Sequence, residues 1–102
     1  MFSSEVKMKI AVHCLDKKDA LPIRLANYEA HKAYLASGSV RTVISGPLLA
    51  QDGETMIGSL FVFEAETLAE VEKFNANDPF NRAGVWADVQ IHLFNLRVDN
   101  RS

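Results

Sequence analysis

Twice along this chain the apolar residues change their spacing from every second position to every third or fourth and back again. Few folds accommodate that order. The stretch KMKIAVHCL sets Met8, Ile10, Val12 and Cys14 against Lys7, Lys9, Ala11 and His13, the period of a strand. DKKDALP interrupts it, and Pro22 suits the first turn of a helix, where a missing N–H is no loss. Leu21, Leu25, Tyr28 and Leu35 then step by four, three and seven, a helical stripe expected to face the core, with Gly38 as its left-handed cap. VRTVI (40–44) predicts a short strand, Gly46-Pro47 and Asp52-Gly53 a turn-rich connection, and MIGSLFVFEA (56–65) a third strand. Gly58 within it marks a bulge or a close approach by another group. Thr67 and Glu70 have the spacing of a capping box, so a second helix starts there with Leu68, Val71 and Phe74 inward. A loop, NDPFNRAGVW (77–86), leads to a last strand, DVQIHLFNLRV (88–98).

The order is βαββαβ, which predicts an α+β, ferredoxin-like fold: a four-stranded antiparallel sheet with two helices on one face. The last strand sets Val89, Ile91 and Leu93 on one face and Gln90, His92, Phe94 and Leu96 on the other. Both faces are substantially apolar, so the sheet face away from the helices is expected to be covered by a second copy, giving a homodimer. The 102 residues make one domain, 1–102, with 1–6 as an N-terminal extension and 98–102 as a polar tail. A domain of this size buries roughly 65% of its unfolded-chain surface, a modest core that association would help.

A net charge of -2 leaves no electrostatic footprint for nucleic acid. No apolar run approaches the roughly 20 residues of a membrane span, and MFSSEVKM lacks the apolar stretch of a signal peptide, so a cytoplasmic protein is expected. The single cysteine, Cys14, excludes an intrachain disulfide and reads as a buried inert thiol. The three histidines lack helical metal-ligand spacing, and no HExxH, GxGxxG or Walker loop is present, so neither a metal nor any cofactor is expected.

On the first predicted helix Arg24 and His31 stand two turns apart, at the rim of the apolar stripe. His31 there is either an acid–base group or an inert boundary residue. Asp78, before Pro79, is either a turn carboxylate or a partner that orients an imidazole, because both helices lie on the same sheet face and bring it toward the first. Phe80, Val85 and Trp86 make the loop unusually apolar. Phe80 is expected at a pocket wall, Val85 at the strand entry and Trp86 at the pocket rim or dimer seam. Arg24 reads equally as a site for an anionic group or as a solvated arginine. Tyr28 reads as core, with a substrate contact as the other reading.

The segments R…YEAHKAYL, GSVRTVISGPLL and GSLFVFEAETLAEVEKFNANDPFNRAGVWADVQIHLF resemble the YCII-related domain family over nearly the whole chain, from about Lys7 to Phe94. The resemblance rests on Arg24 and His31, on Gly46-Pro47, and on Asp78-Pro79-Phe80 with Ala83-Gly84-Val85. It implies a homodimer of the dimeric α/β-barrel type and an active site built on a His–Asp pair, which falls on His31 and Asp78. Gly46 and Pro47 are expected to shape a turn beside the pocket, with Ser45 as a hydrogen-bond donor there. One member of a chlorinated-aromatic degradation pathway is a dehydrochlorinase. Two readings follow. One is a small enzyme using the pair for acid–base chemistry, of lyase or hydrolase type, on a small aromatic or anionic substrate. The other is a non-catalytic dimeric domain that binds a metabolite or another protein.

Overall fold

The computed structural model describes residues 7–38 and 40–101. The expected N-terminal extension, 1–6, lies outside the described residues. Eight elements follow one another: β1 (Met8–Asp16), α1 (Leu21–Ala26), α2 (Tyr28–Ser37), β2 (Arg41–Leu49), β3 (Met56–Ala65), α3 (Leu68–Ala76), α4 (Pro79–Arg82) and β4 (Trp86–Phe94). The strands form one antiparallel sheet in the order β2-β3-β1-β4. This is the ferredoxin-like α+β arrangement, with β1 and β3 in the middle.

Strand parity separates two faces. Ile10, Val12 and Cys14 of β1 and Phe61, Phe63 and Ala65 of β3 are buried beneath the helices with Val71, Phe74 and Phe80. Ala11, His13 and Leu15 point the other way, as do Leu60 and Val62 of β3 and the residues registered opposite them. Thr67 and Glu70 close the expected capping box at the start of α3, each satisfying a backbone N–H of the other.

Several expectations are corrected. The first helix is two pieces. Asn27 breaks it with φ -109° and ψ 7°, and its side chain donates to the Ile23 carbonyl. Its inward face is also not the apolar stripe: Leu25 and Tyr28 are exposed, while Arg24 and His31, with Ala20, are buried. Gly38 is extended (φ -74°, ψ 158°) rather than left-handed. A side chain there would collide with the Phe74 ring, so glycine serves packing instead of capping. Finally, β2 runs on through Gly46-Pro47 to Leu49. Proline is tolerated because β2 is an edge strand with an unpaired side.

Gly58 meets both expectations made for it. The β2–β3 register shifts between Leu48 and Leu49, and a Cβ on Gly58 would collide with the Cys14 carbonyl. The 77–86 loop contains the short helix α4, followed by Gly84 at φ +79°, and Trp86 already belongs to β4. The last strand ends at Phe94, short of the expected 98, and residues 95–101 have no regular structure. Among the described residues, no helix is long and apolar enough to cross a membrane.

Candidate functional site

Asp78 is where two local requirements meet. As the N-cap of α4 its carboxylate accepts from the Phe80 N–H at 2.8 Å, and Pro79 fills the first helical position. The same carboxylate faces His31 of α2, whose Nδ1 lies 2.8 Å from Oδ1 and 2.9 Å from Oδ2. A carboxylate only accepts, so Nδ1 carries the hydrogen and the cap fixes the tautomer of the ring. Phe80 stacks on the imidazole with centroids 4.0 Å apart and planes 9° apart, and Phe61 meets it edge-on. The ring is thus locked on three sides, and Nε2 makes no hydrogen bond among the described residues.

Arg24 is the second anchor. Its guanidinium is buried and forms a two-bond pair with Asp16, Nε to Oδ2 at 2.8 Å and Nη2 to Oδ1 at 3.1 Å. Nη2 also donates to the Gly58 carbonyl and the Ser59 hydroxyl. The group lies 4.7 Å above the Phe80 ring. Nη1 makes no hydrogen bond among the described residues. The solvated reading of Arg24 is therefore wrong: a carboxylate eight residues earlier, at the end of β1, makes its burial affordable.

A cavity of about 530 Å³ opens over both anchors, in the range of small-molecule sites. Arg24, Tyr28, His31, Ser45, Gly46, Pro47 and Phe80 all line it, with Leu25, Leu35, Met56 and Phe61 completing a mostly apolar wall. Leu25 and Tyr28 thus face the cavity rather than the core, and Gly46-Pro47 contribute from a strand rather than a turn. Trp86 is the exception among the expected lining residues. It is buried behind the cavity, edge-on to Phe61 and Phe80, because β4 begins at that residue and turns its side chain under the helices. Lys32 stands at the cavity wall, largely exposed, with its ammonium 3.7 Å from Glu29.

Asp16 and Ser59 were not legible as site residues. Asp16 sits where the strand alternation stops, and its partner is defined only when α1 packs across the end of β1. Beneath the site, Cys14 is a buried thiol pushed up to about 12, chiefly by burial and further by the carboxylates of Asp78 and Asp16, with an Asn75 hydrogen bond opposing. Burial thus keeps it in the protonated, weakly nucleophilic form.

The YCII-related domain matches residues 8–95. The chain belongs to the YCII-related domain family. Its fold is similar to that of the 5-chloro-2-hydroxyhydroquinone dehydrochlorinase TftG from Burkholderia phenoliruptrix AC1100, solved in complex with 2,5-dihydroxybenzoquinone. The two are 32% identical, with a TM-score of 0.74 over 86% of this chain and 94% of that one. A dimeric protein of unknown function and ferredoxin-like fold from Bacteroides fragilis NCTC 9343 is 19% identical, with a TM-score of 0.53 over 88% and 96%. An antibiotic biosynthesis monooxygenase is 15% identical, with a TM-score of 0.57 over 89% and 99%. These last two share the fold alone. No curated protein sequence matches the chain.

Proposed function

We propose that this YCII-related protein is a small enzyme that performs acid–base chemistry on a hydroxylated ring compound, of the lyase type, with His31 as the proton-transfer group and Asp78 as its orienting partner. The observation that carries the reading is the division of labour on one imidazole. Nδ1 is tied to a buried carboxylate, while the ring lines a mostly apolar cavity of about 530 Å³ and Nε2 makes no hydrogen bond among the described residues. In such a site Nε2 takes the proton of a ring hydroxyl, the O–H electron pair moves into the ring, and the ring carbon that bears the leaving group takes up a proton; loss of a second ring-hydroxyl proton then expels a leaving group such as chloride with its bonding pair and leaves a quinone. Phe61, Phe80 and Pro47 provide flat, dry walls, and Nη1 of Arg24 donates to oxygen as charge develops on it. The similarity to a dehydrochlorinase holding a quinone gives the ring class.

The test is chloride release from 5-chloro-2-hydroxyhydroquinone, alongside binding of 2,5-dihydroxybenzoquinone followed through the His31 ring signals by NMR. His31→Gln should lower turnover by about 10²–10⁴-fold with the fold retained. A quinone that leaves the His31 signals unmoved would defeat the proposal.

The protein is further proposed to work as a homodimer through the open sheet face. Leu15, Ile44, Leu60 and Phe94 lie on that face, each about two-fifths exposed, too apolar a set for water alone. Sedimentation at micromolar concentration should give twice the 11.3 kDa chain mass, and the mass of a single chain would sink this part.

A further inference from the structure

We infer that Asp16, by neutralising Arg24, makes His31 the countercharge for a ligand oxyanion, so that the cavity takes up an oxyanion together with one proton. The inference rests on the ring-ligand reading above and concerns how the same site handles charge.

Arginine at a cavity wall usually reads as an anion site. Here the guanidinium is already matched. Nε and Nη2 bind both oxygens of Asp16, and that side chain is as buried as the arginine's own. The pair has no net charge, and what it offers the cavity is the N–H groups of Nη1. Against the His31 imidazole stands a second buried carboxylate, Asp78. With a neutral imidazole the polar end carries one net negative charge, from Asp78. An oxyanion added to it would make two, in surroundings that are mostly apolar and screen poorly. A proton on Nε2 restores the balance: imidazolium against Asp78 on one side and against the ligand oxygen on the other.

The remaining charged and titratable groups do not replace it. Lys32 of α2 is exposed at the wall and shared with Glu29, so water screens it. Cys14 of β1 and Tyr34 of α2 are both held protonated, by burial first. Tyr28 of α2 supplies a hydroxyl and no cation. The proton balance is simple. A ligand arriving as a neutral hydroxyl breaks its O–H bond, gives the proton to Nε2 and keeps the electron pair on oxygen. A ligand arriving ionised draws the proton from solvent. Asp16 never touches the ligand; it is a positioning residue that acts through Arg24.

The experiment is calorimetry of 2,4-dinitrophenolate binding in pairs of buffers with different ionisation enthalpies, from about pH 6 to about pH 9. Wild-type uptake should rise with pH toward about one proton per probe, with affinity falling by about tenfold per pH unit at the alkaline end. Asp16→Asn releases the charge of Arg24 and should bring uptake near zero. Ser59→Ala removes only a neutral acceptor from the same guanidinium and should keep it. If Asp16→Asn does not fold, the double variant Asp16→Asn with Arg24→Gln decides, because it leaves no unpaired buried charge and should retain proton uptake. Wild-type binding without uptake overturns the inference, as does uptake unchanged in Asp16→Asn or lost in the double variant. A probe that does not bind at all overturns the ring reading, and the inference falls with it.

Discussion

α3 and the α1–α2 pair pack on the same face of the same sheet, yet they bury opposite kinds of residue. α3 begins in a capping box and turns Val71 and Phe74 into the core. α1 follows Ala20 with no side-chain cap and ends at Asn27, and the α1–α2 pair turns Arg24 and His31 inward while Leu25 and Tyr28 stay exposed. One helix obeys the rules of local sequence. The α1–α2 pair violates them, and its inverted burial lies at the cavity: Arg24 and His31 are paired there, and Leu25 and Tyr28 line it. Departures from patterning that the rest of a fold supports are where function is expected.

The comparison can be pressed hardest by removing one buried group from each side. Phe74→Ala should cost about 3–5 kcal/mol, because the Phe63 and Tyr34 rings lose their neighbour. Arg24→Met should cost a similar amount, about 3–5 kcal/mol, for a different reason: Asp16 is left charged and unpaired in the interior. Denaturant unfolding measures both. A second, apolar replacement then separates them. Arg24→Met combined with Asp16→Leu should regain most of the loss, while ring binding weakens because the cavity loses the N–H groups of Arg24. No second substitution at Asp16 should help Phe74→Ala. If the double variant stays as unstable as Arg24→Met, the ion pair contributes to stability as much as the aromatic core does, and the contrast between the helices fails.

Alkaline unfolding probes the floor the two helices share. The folded Cys14 thiol sits at about 12 against an ordinary value of 9.0. A group raised in the folded state holds its proton after the unfolded chain has lost it. Its stabilisation is complete below pH 9 and declines between 9 and 12, at about 1.4 kcal/mol per pH unit. Cys14→Ala should flatten that part of the stability curve, and native Cys14 should resist thiol reagents. A thiol that is alkylated while the protein remains folded would contradict its placement under the site.

Smaller effects sharpen the contrast at the helix surfaces. Thr67→Ala should cost about 1 kcal/mol through loss of the α3 cap. Leu25→Gln should change stability by no more than about 0.5 kcal/mol, since that leucine is more than half exposed, yet it should weaken ring binding because Leu25 lines the cavity. A large loss of stability in Leu25→Gln would return Leu25 to the core and restore the apolar stripe as the inward face.

By itself the sequence determined the alternation of strands and helices, the strands β1 and β3 and the capped helix α3, and it singled out His31 and Asp78 as candidates. Alternation, turn residues and caps act between near neighbours, so they are visible in one dimension. The inward direction of α1 and α2 was decided only by tertiary structure. Burying a guanidinium there depends on Asp16, which comes from another element, and no apolar periodicity can report a charge that is satisfied at a distance. The same holds for Gly38, set by the Phe74 ring, and for Pro47, tolerated because β2 is an edge strand. Trp86 was misplaced because the entry into β4, two residues earlier than the alternation suggests, turns its ring under the helices. What local chemistry could state, the sequence stated. What required two distant groups to meet, such as Arg24 with Asp16 or the cap carboxylate of α4 with the imidazole of α2, became definite only when the sheet brought them together.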